Sequence, residues 1–177
     1  MLNSTPTRRL STAALCLAMA VLLPQFFHAI PNFGSIFLPM HLPVLLCGFI
    51  CGWKYGLLCG MFAPVLSFLL AGMPGAMILP GMVCELAVYG LVTGLLFPRM
   101  HTQSWIADIY FSLLPAMLLG RVFLGLTNGL VFLAGQYTFQ VFLAGAFVTA
   151  LPGILVQLVL TPALLFALKK ANLLQYA

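Results

Sequence analysis

Long apolar runs alternate along the chain with short clusters of glycine, proline and polar residues. That pattern predicts six helices, at roughly 9–27, 41–53, 55–71, 80–97, 108–134 and 142–168. The second is short. At ~1.5 Å of rise per residue it falls well below a hydrocarbon core of about 30 Å. The irregular stretch HAIPNFGSIFLPMH precedes it, and non-helical backbone at membrane depth needs cover from other protein.

Between the second and third runs lies CGFICGWKYGLLCG, residues 47–60. Gly48, Gly52, Gly56 and Gly60 follow one another at intervals of four, with Lys54 among them. A Walker-type phosphate loop needs Ser or Thr after the lysine, and Tyr55 stands there. One continuous helix over 41–71 would overrun the bilayer and bury Lys54. The stretch therefore predicts a hairpin with its turn at Gly52-Trp53-Lys54-Tyr55-Gly56. Gly48 and Gly52 would ease close packing on one helix, and Gly56 and Gly60 on the next. Ala14/Ala18, Gly90/Gly94, Gly125/Gly129 and Gly145/Thr149 follow the same packing logic.

Composition fixes the class. Of 177 residues, 63% are hydrophobic and 5% charged, with a mean hydropathy of +1.16. Soluble domains carry about 25% charged residues, so too few polar side chains exist here to cover a water-facing surface. The expected fold is an all-α integral membrane protein of six transmembrane helices, forming a single domain over 1–177 with no polar linker. Arg8 and Arg9 precede the first run, but Pro24-Gln25-Phe26-Phe27 makes a poor cleavage site, so a retained first span is expected.

The basic residues orient the spans. Arg8, Arg9, Lys54, Arg99, Lys169 and Lys170 all fall on one side when six spans are threaded with both termini cytoplasmic. The expected outer loops, 28–40, 72–79 and 135–141, contain no Lys or Arg. That distribution obeys the positive-inside rule.

Few polar side chains remain within the spans: Glu85, Arg121, Asn128, Thr149 and Gln157. A charge at that depth costs roughly 2.5–3.5 kcal/mol on insertion scales, which makes each a functional candidate. Counting rise from the span ends puts Glu85 ~7–8 Å, and Arg121 and Thr149 ~10 Å, below the outer boundary. Tyr89 lies one turn beneath Glu85, and Asn128 nearer the outer mouth. Two readings follow. Glu85 and Arg121 form an ion pair that only holds helices together, or they line an outward polar pocket capped by His41, Asn32 and the 72–79 loop. Gln157, ~22 Å deep, is too far to join it directly.

Other chemistry finds little support. Cys16, Cys47, Cys51, Cys59 and Cys84 all sit in apolar segments and read as small buried hydrophobes rather than metal ligands. His28, His41 and His101 do not form a facing pair for haem, since His101 falls on the cytoplasmic side. No Walker motif, nucleophilic triad or paired carboxylates occur. Neither a metal, a cofactor nor enzyme activity is expected.

FLPMHLPVLLCGFICGWKYGLLCG, with His-x-Pro followed by glycines at four-residue spacing, resembles the second–third helix hairpin of S components. These are the substrate-binding subunits of energy-coupling factor (ECF) vitamin transporters. GMVCELAVYGLVTGLLF resembles their fourth helix, and LLGRVFLGL and TALPGILVQLVLTPAL the fifth and sixth, so the likeness covers nearly the whole chain. Trp53 stands where many members have proline. The resemblance implies a protein in the cell membrane of a bacterium or archaeon that binds a water-soluble vitamin or precursor outside. It would then join a transmembrane coupling subunit and two cytoplasmic ATPase subunits and release its substrate inside. It also implies that Ala14 and Ala18, matching the family's Ala-x-x-x-Ala, dock on the coupling subunit. Arg121 would suit the carboxylate of pantothenate; a Glu85–Arg121 pair of zero net charge would suit an uncharged ring such as pyridoxine or hydroxymethylpyrimidine. Outside the resemblance stand a membrane scaffold or assembly protein, and a stand-alone secondary transporter. The latter is disfavoured by the lack of an internal repeat and by a single intramembrane acid.

Overall fold

The structure, a computed structural model, describes residues 6–26, 37–102, 104–129 and 139–171. His28 and Asn32 lie outside the described residues. Among the described residues seven α-helices follow in order: α1 (Pro6–Phe26), α2 (His41–Cys51), α3 (Trp53–Ala71), α4 (Leu79–Leu96), α5 (Trp105–Thr127), α6 (Phe139–Leu143) and α7 (Leu151–Lys170). No strand occurs among the described residues.

Five of the helices (α1, α3, α4 with the turn that follows it, α5 and α7) are long and apolar enough to cross a membrane. Their outward faces are apolar too: Leu15, Leu22, Phe62, Leu69, Leu118, Phe123, Val159 and Phe166 are exposed. A water-soluble monomer does not carry so continuous an apolar surface, and the protein is a multi-pass membrane protein. Helix α2, at 11 residues, rises only ~16 Å. It is nonetheless central. Every residue from Pro43 to Cys51 is buried, as is His41, and α2 packs against α1, α3, α4 and α7.

The hairpin forms as the sequence predicts, but its turn is shorter. Gly52 alone separates α2 from α3, at φ 90° and ψ 176°. That backbone region is essentially closed to residues with a Cβ. Gly52 donates its N–H to the Gly48 carbonyl and accepts from the Gly56 N–H, which ties the two helices across one residue. Gly52 is thus the turn itself rather than a packing position. The close approaches belong to Gly48, Gly56 and Gly60. A Cβ on Gly56 would run into the Gly90 carbonyl, one on Gly90 into the Gly56 backbone, and one on Gly60 into Leu86. Helices α3 and α4 therefore touch backbone to backbone. In a lipid environment, where apolar burial gives little net drive, such contact is the main source of helix affinity.

The sixth expected helix is divided. Helix α6 leads into a wider, π-type segment, Ala144–Thr149, before α7 starts at Leu151. Pro152 has no N–H to donate to a carbonyl one turn back, so a regular ladder cannot run through it, whereas the first turn of a new helix accepts it. The fifth helix begins at Trp105, three residues before the expected 108, and its α-helical part closes at Thr127.

Three contacts align the ends. Cys51 Sγ donates to the Arg9 carbonyl at 3.5 Å, joining the start of α1 to the end of α2. Gly94, near the end of α4, abuts the backbone of Trp53. Lys169 Nζ lies 4.5 Å from the Trp105 ring centroid, joining the end of α7 to the start of α5. Six of the seven basic residues (Arg8, Arg9, Lys54, Arg99, Lys169 and Lys170) therefore gather at one end of the bundle. The seventh, Arg121, is inside it.

Candidate functional site

Helix α4 presents Gly81, Glu85 and Tyr89 at intervals of four, hence on one face. All three are buried. Helix α5 brings Gly120, Arg121 and Asn128 against that face, and α2 adds His41 from the side. Two glycines make room. A Cβ on Gly120 would strike the Tyr89 ring, and one on Gly81 would strike the Asn128 amide. The three tiers run from Tyr89 at the bottom, through Glu85, to Asn128 beside Gly81.

Glu85 is the hub. Its Oε1 lies 3.2 Å from Arg121 Nε, and its Oε2 lies 3.4 Å from His41 Nε2. Glu85 is 2% exposed, Arg121 4% and His41 1%, so this trio is closed off from bulk solvent. The rings of His41 and Tyr89 meet edge to face with centroids 5.3 Å apart.

The arrangement is close but underbonded. Neither the Glu85–Arg121 nor the Glu85–His41 contact is aligned as a hydrogen bond, and His41 Nδ1, Tyr89 OH, Arg121 Nη2 and Asn128 Oδ1 also have no hydrogen-bond partner. Buried polar atoms are ordinarily satisfied, so a cluster of exceptions around one carboxylate stands out. From Leu79, the start of α4, to Glu85 the helix rises ~9 Å, and that start lies at the end of the bundle away from the six basic residues.

Of the residues expected to converge, the structure brings together Glu85, Arg121, Tyr89, His41 and Asn128. Thr149 lies at the end of the wide segment, and it is exposed rather than among the buried groups. Asn32 falls outside the described residues. Gln157 is buried with both amide atoms unpartnered, as is the neighbouring Thr161 hydroxyl one turn on. Tyr110 OH donates to the Leu158 carbonyl at 3.1 Å, and Tyr110 lies ~16 Å along α5 from Arg121. Gln157 is thus a separate polar point nearer the basic end. Ala14 and Ala18 are exposed, while Ala13, Cys16 and Ala20 form the buried face of α1.

Sequence reasoning did not single out Gly81, Gly120 or Asp108. The glycines had a signal: each stands one turn from, or next to, an intramembrane charge. Asp108 is 1% exposed. Its Oδ1 accepts from the Thr102 N–H at 2.9 Å and from the Thr102 hydroxyl. The carboxylate sits in the first turn of α5, where the helix dipole favours it, and it fastens the 97–105 connection. Cys16, Cys47, Cys51 and Cys59 are free and buried.

A bundle of apolar helices around one buried, underbonded ion cluster defines a polytopic membrane protein with an intramembrane polar site. Residues 8–165 match the family model described as "ECF transporter, substrate-specific component". The chain belongs to that family, and it is a substrate-binding transport subunit rather than an enzyme. No curated protein and no solved structure matches it.

Proposed function

We propose that this protein captures a water-soluble vitamin or vitamin precursor of the pantothenate, pyridoxine or hydroxymethylpyrimidine class from outside the cell. It would deliver that substrate inward as part of an ECF-type importer in a bacterial or archaeal cell membrane. The observation that carries the reading is the His41–Glu85–Arg121 cluster with its unpartnered hydrogen-bonding atoms. An intramembrane ion cluster marks a ligand or pathway by default, and this one lies away from the basic end. With that end cytoplasmic, as the positive-inside rule directs, both termini face the cytoplasm and the site opens outward. Glu85, Arg121, Tyr89, His41 and Asn128 line it. Thr149 and Asn32 are added to it on their sequence positions alone. The whole chain acts as one six-helix membrane domain, with the short α2 counted among the six.

Partners supply the energy, because the chain has no nucleotide-binding motif. They are a transmembrane coupling subunit, docked on the exposed Ala14/Ala18 strip of α1, and two cytoplasmic ATPase subunits. The test is mass spectrometry of small molecules that co-purify with the protein. It is paired with uptake of the identified compound in cells with and without the ATPase subunits. Uptake that persists without them would point to a stand-alone carrier.

A further inference from the structure

We infer that the site selects a ligand of zero net charge that carries both hydrogen-bond donors and acceptors, and that it rejects organic anions. This inference rests on the ligand-binding reading above.

The first ground is charge. The chain has two acidic residues, Glu85 and Asp108, and Asp108 is bound to Thr102 at the basic end. Arg121 is the one basic residue away from that end. Residues 27–36 and 130–138 contain no Asp, Glu, Lys or Arg. The Asp, Glu, Lys and Arg side chains of the described site are therefore Glu85 and Arg121, already paired at 3.2 Å, with the His41 imidazole 3.4 Å from the other carboxylate oxygen. An anion would bring a second negative charge beside Glu85, and a cation a second positive charge beside Arg121. Either leaves an uncompensated buried charge, which is strongly unfavourable in a low-dielectric site. An uncharged ligand leaves the pair intact.

The second ground is the pattern of unpartnered atoms. Arg121 Nη2 can only donate, and Tyr89 OH can do both. His41 Nδ1 and Nε2 are both without an aligned hydrogen bond, and an imidazole nitrogen can donate or accept. Asn128 Oδ1 is an acceptor. The site thus offers donors at Arg121 and Tyr89, an acceptor at Asn128 and ring nitrogens of either kind at His41. A carboxylate or phosphate oxygen can only accept, so by itself it would leave Asn128 Oδ1 unmet. A hydroxylated or amino-substituted ring, or an amide, satisfies both sides.

The test uses the full-length protein purified in detergent. Native mass spectrometry identifies any captured molecule, and calorimetry measures binding of pyridoxine and hydroxymethylpyrimidine (uncharged), pantothenate (anionic) and thiamin (cationic). An uncompensated charge beside Glu85 is expected to weaken the anion at least about 10-fold. The expected result is a captured molecule, or a best-binding probe, without net charge, with the anion weaker by at least that factor. Glu85→Gln, which leaves Arg121 uncompensated, is expected to narrow or reverse the preference toward pantothenate. Capture of an anion, or equal or tighter binding of pantothenate by the unaltered protein, overturns the charge inference while leaving the binding function standing. A purified, folded protein that captures nothing and binds none of the four probes overturns the binding function, and the charge inference with it.

Discussion

Arg121 Nε lies 3.2 Å from Glu85 Oε1, joining α5 to α4 inside a bundle whose surface is almost wholly apolar. Two consequences follow from one contact. The pair holds two helices together, and its own two charges cancel.

Removing one partner separates those roles. Arg121→Gln leaves Glu85 as a buried charge with only His41 beside it. The expected cost is about 3–5 kcal/mol of stability, read as a lower unfolding temperature in detergent. The double variant Glu85→Gln/Arg121→Gln restores neutrality and is expected to recover most of that loss. Ligand affinity should not recover with it, because a charge-assisted hydrogen bond is worth about 1.5–3 kcal/mol. Recovery of stability and affinity together would reduce the cluster to a structural ion pair.

The glycine contact between α3 and α4 makes a second prediction. Gly90→Ala would place a methyl group against the Gly56 carbonyl and Cα. The helices must part, and overpacking of this kind costs typically about 1–3 kcal/mol. Gly75→Ala is the control, since a Cβ there meets nothing, and its stability should stay within about 0.5 kcal/mol of the parent protein. Thermal unfolding of both variants decides. Equal stability would mean that α3 and α4 do not approach as described.

How far the site was legible follows from the same geometry. Charges inside spans are rare and helix rise is constant, so Glu85 and Arg121 could be placed at one level from counting alone. Tyr89 followed from its spacing one turn from Glu85, and His41 from its place in the stretch expected to cap the pocket. The count failed where the helix did. Thr149 was placed by assuming an unbroken helix over 142–168, but the wide segment Ala144–Thr149 and Pro152 interrupt it, so rise per residue no longer gives depth. The four-residue glycine spacing was also ambiguous. It marked a packing stripe correctly at Gly48, Gly56 and Gly60, yet the positive φ of Gly52 is decided by how two helices meet, which no local pattern encodes. The first helix shows the same limit. Ala14 and Ala18 share a strip by spacing, but whether it faces inward or outward depends on the partners of its neighbours.

Gln157 offers a third prediction. Its amide is buried on α7 with neither atom partnered, at a level set by the Tyr110–Leu158 hydrogen bond, ~16 Å along α5 from Arg121. Gln157→Leu removes two unmet polar atoms at similar volume. The fold should be retained with an unfolding temperature equal to or above that of the parent protein, since replacing unsatisfied polar groups by apolar ones is neutral or favourable. Ligand affinity should not change. A marked fall in affinity would extend the site down to α7.

The last prediction concerns α1. Ala13, Cys16, Ala20 and Val21 turn inward, and Ala14 and Ala18 are exposed at the side of that face. They lie one turn apart, so they form one smooth strip. A smooth strip lets another helix approach closely, and in lipid that approach supplies much of the affinity between helices. Leu15, Met19 and Leu22 nearby are exposed as well, so the strip is bordered by bulky apolar side chains rather than covered by other described residues. Internal packing therefore does not account for it among the described residues. Ala14→Trp with Ala18→Trp should leave the unfolding temperature and ligand affinity of the isolated protein unchanged, because neither side chain enters the core. The same substitutions should abolish co-purification with the coupling subunit and ATP-dependent uptake. If stability and ligand binding collapse instead, the strip is covered by segments outside the described residues and the docking assignment is wrong. If assembly survives in a stable protein, the coupling subunit must use another face, with the exposed Trp53–Lys54 start of α3 as the next place to substitute.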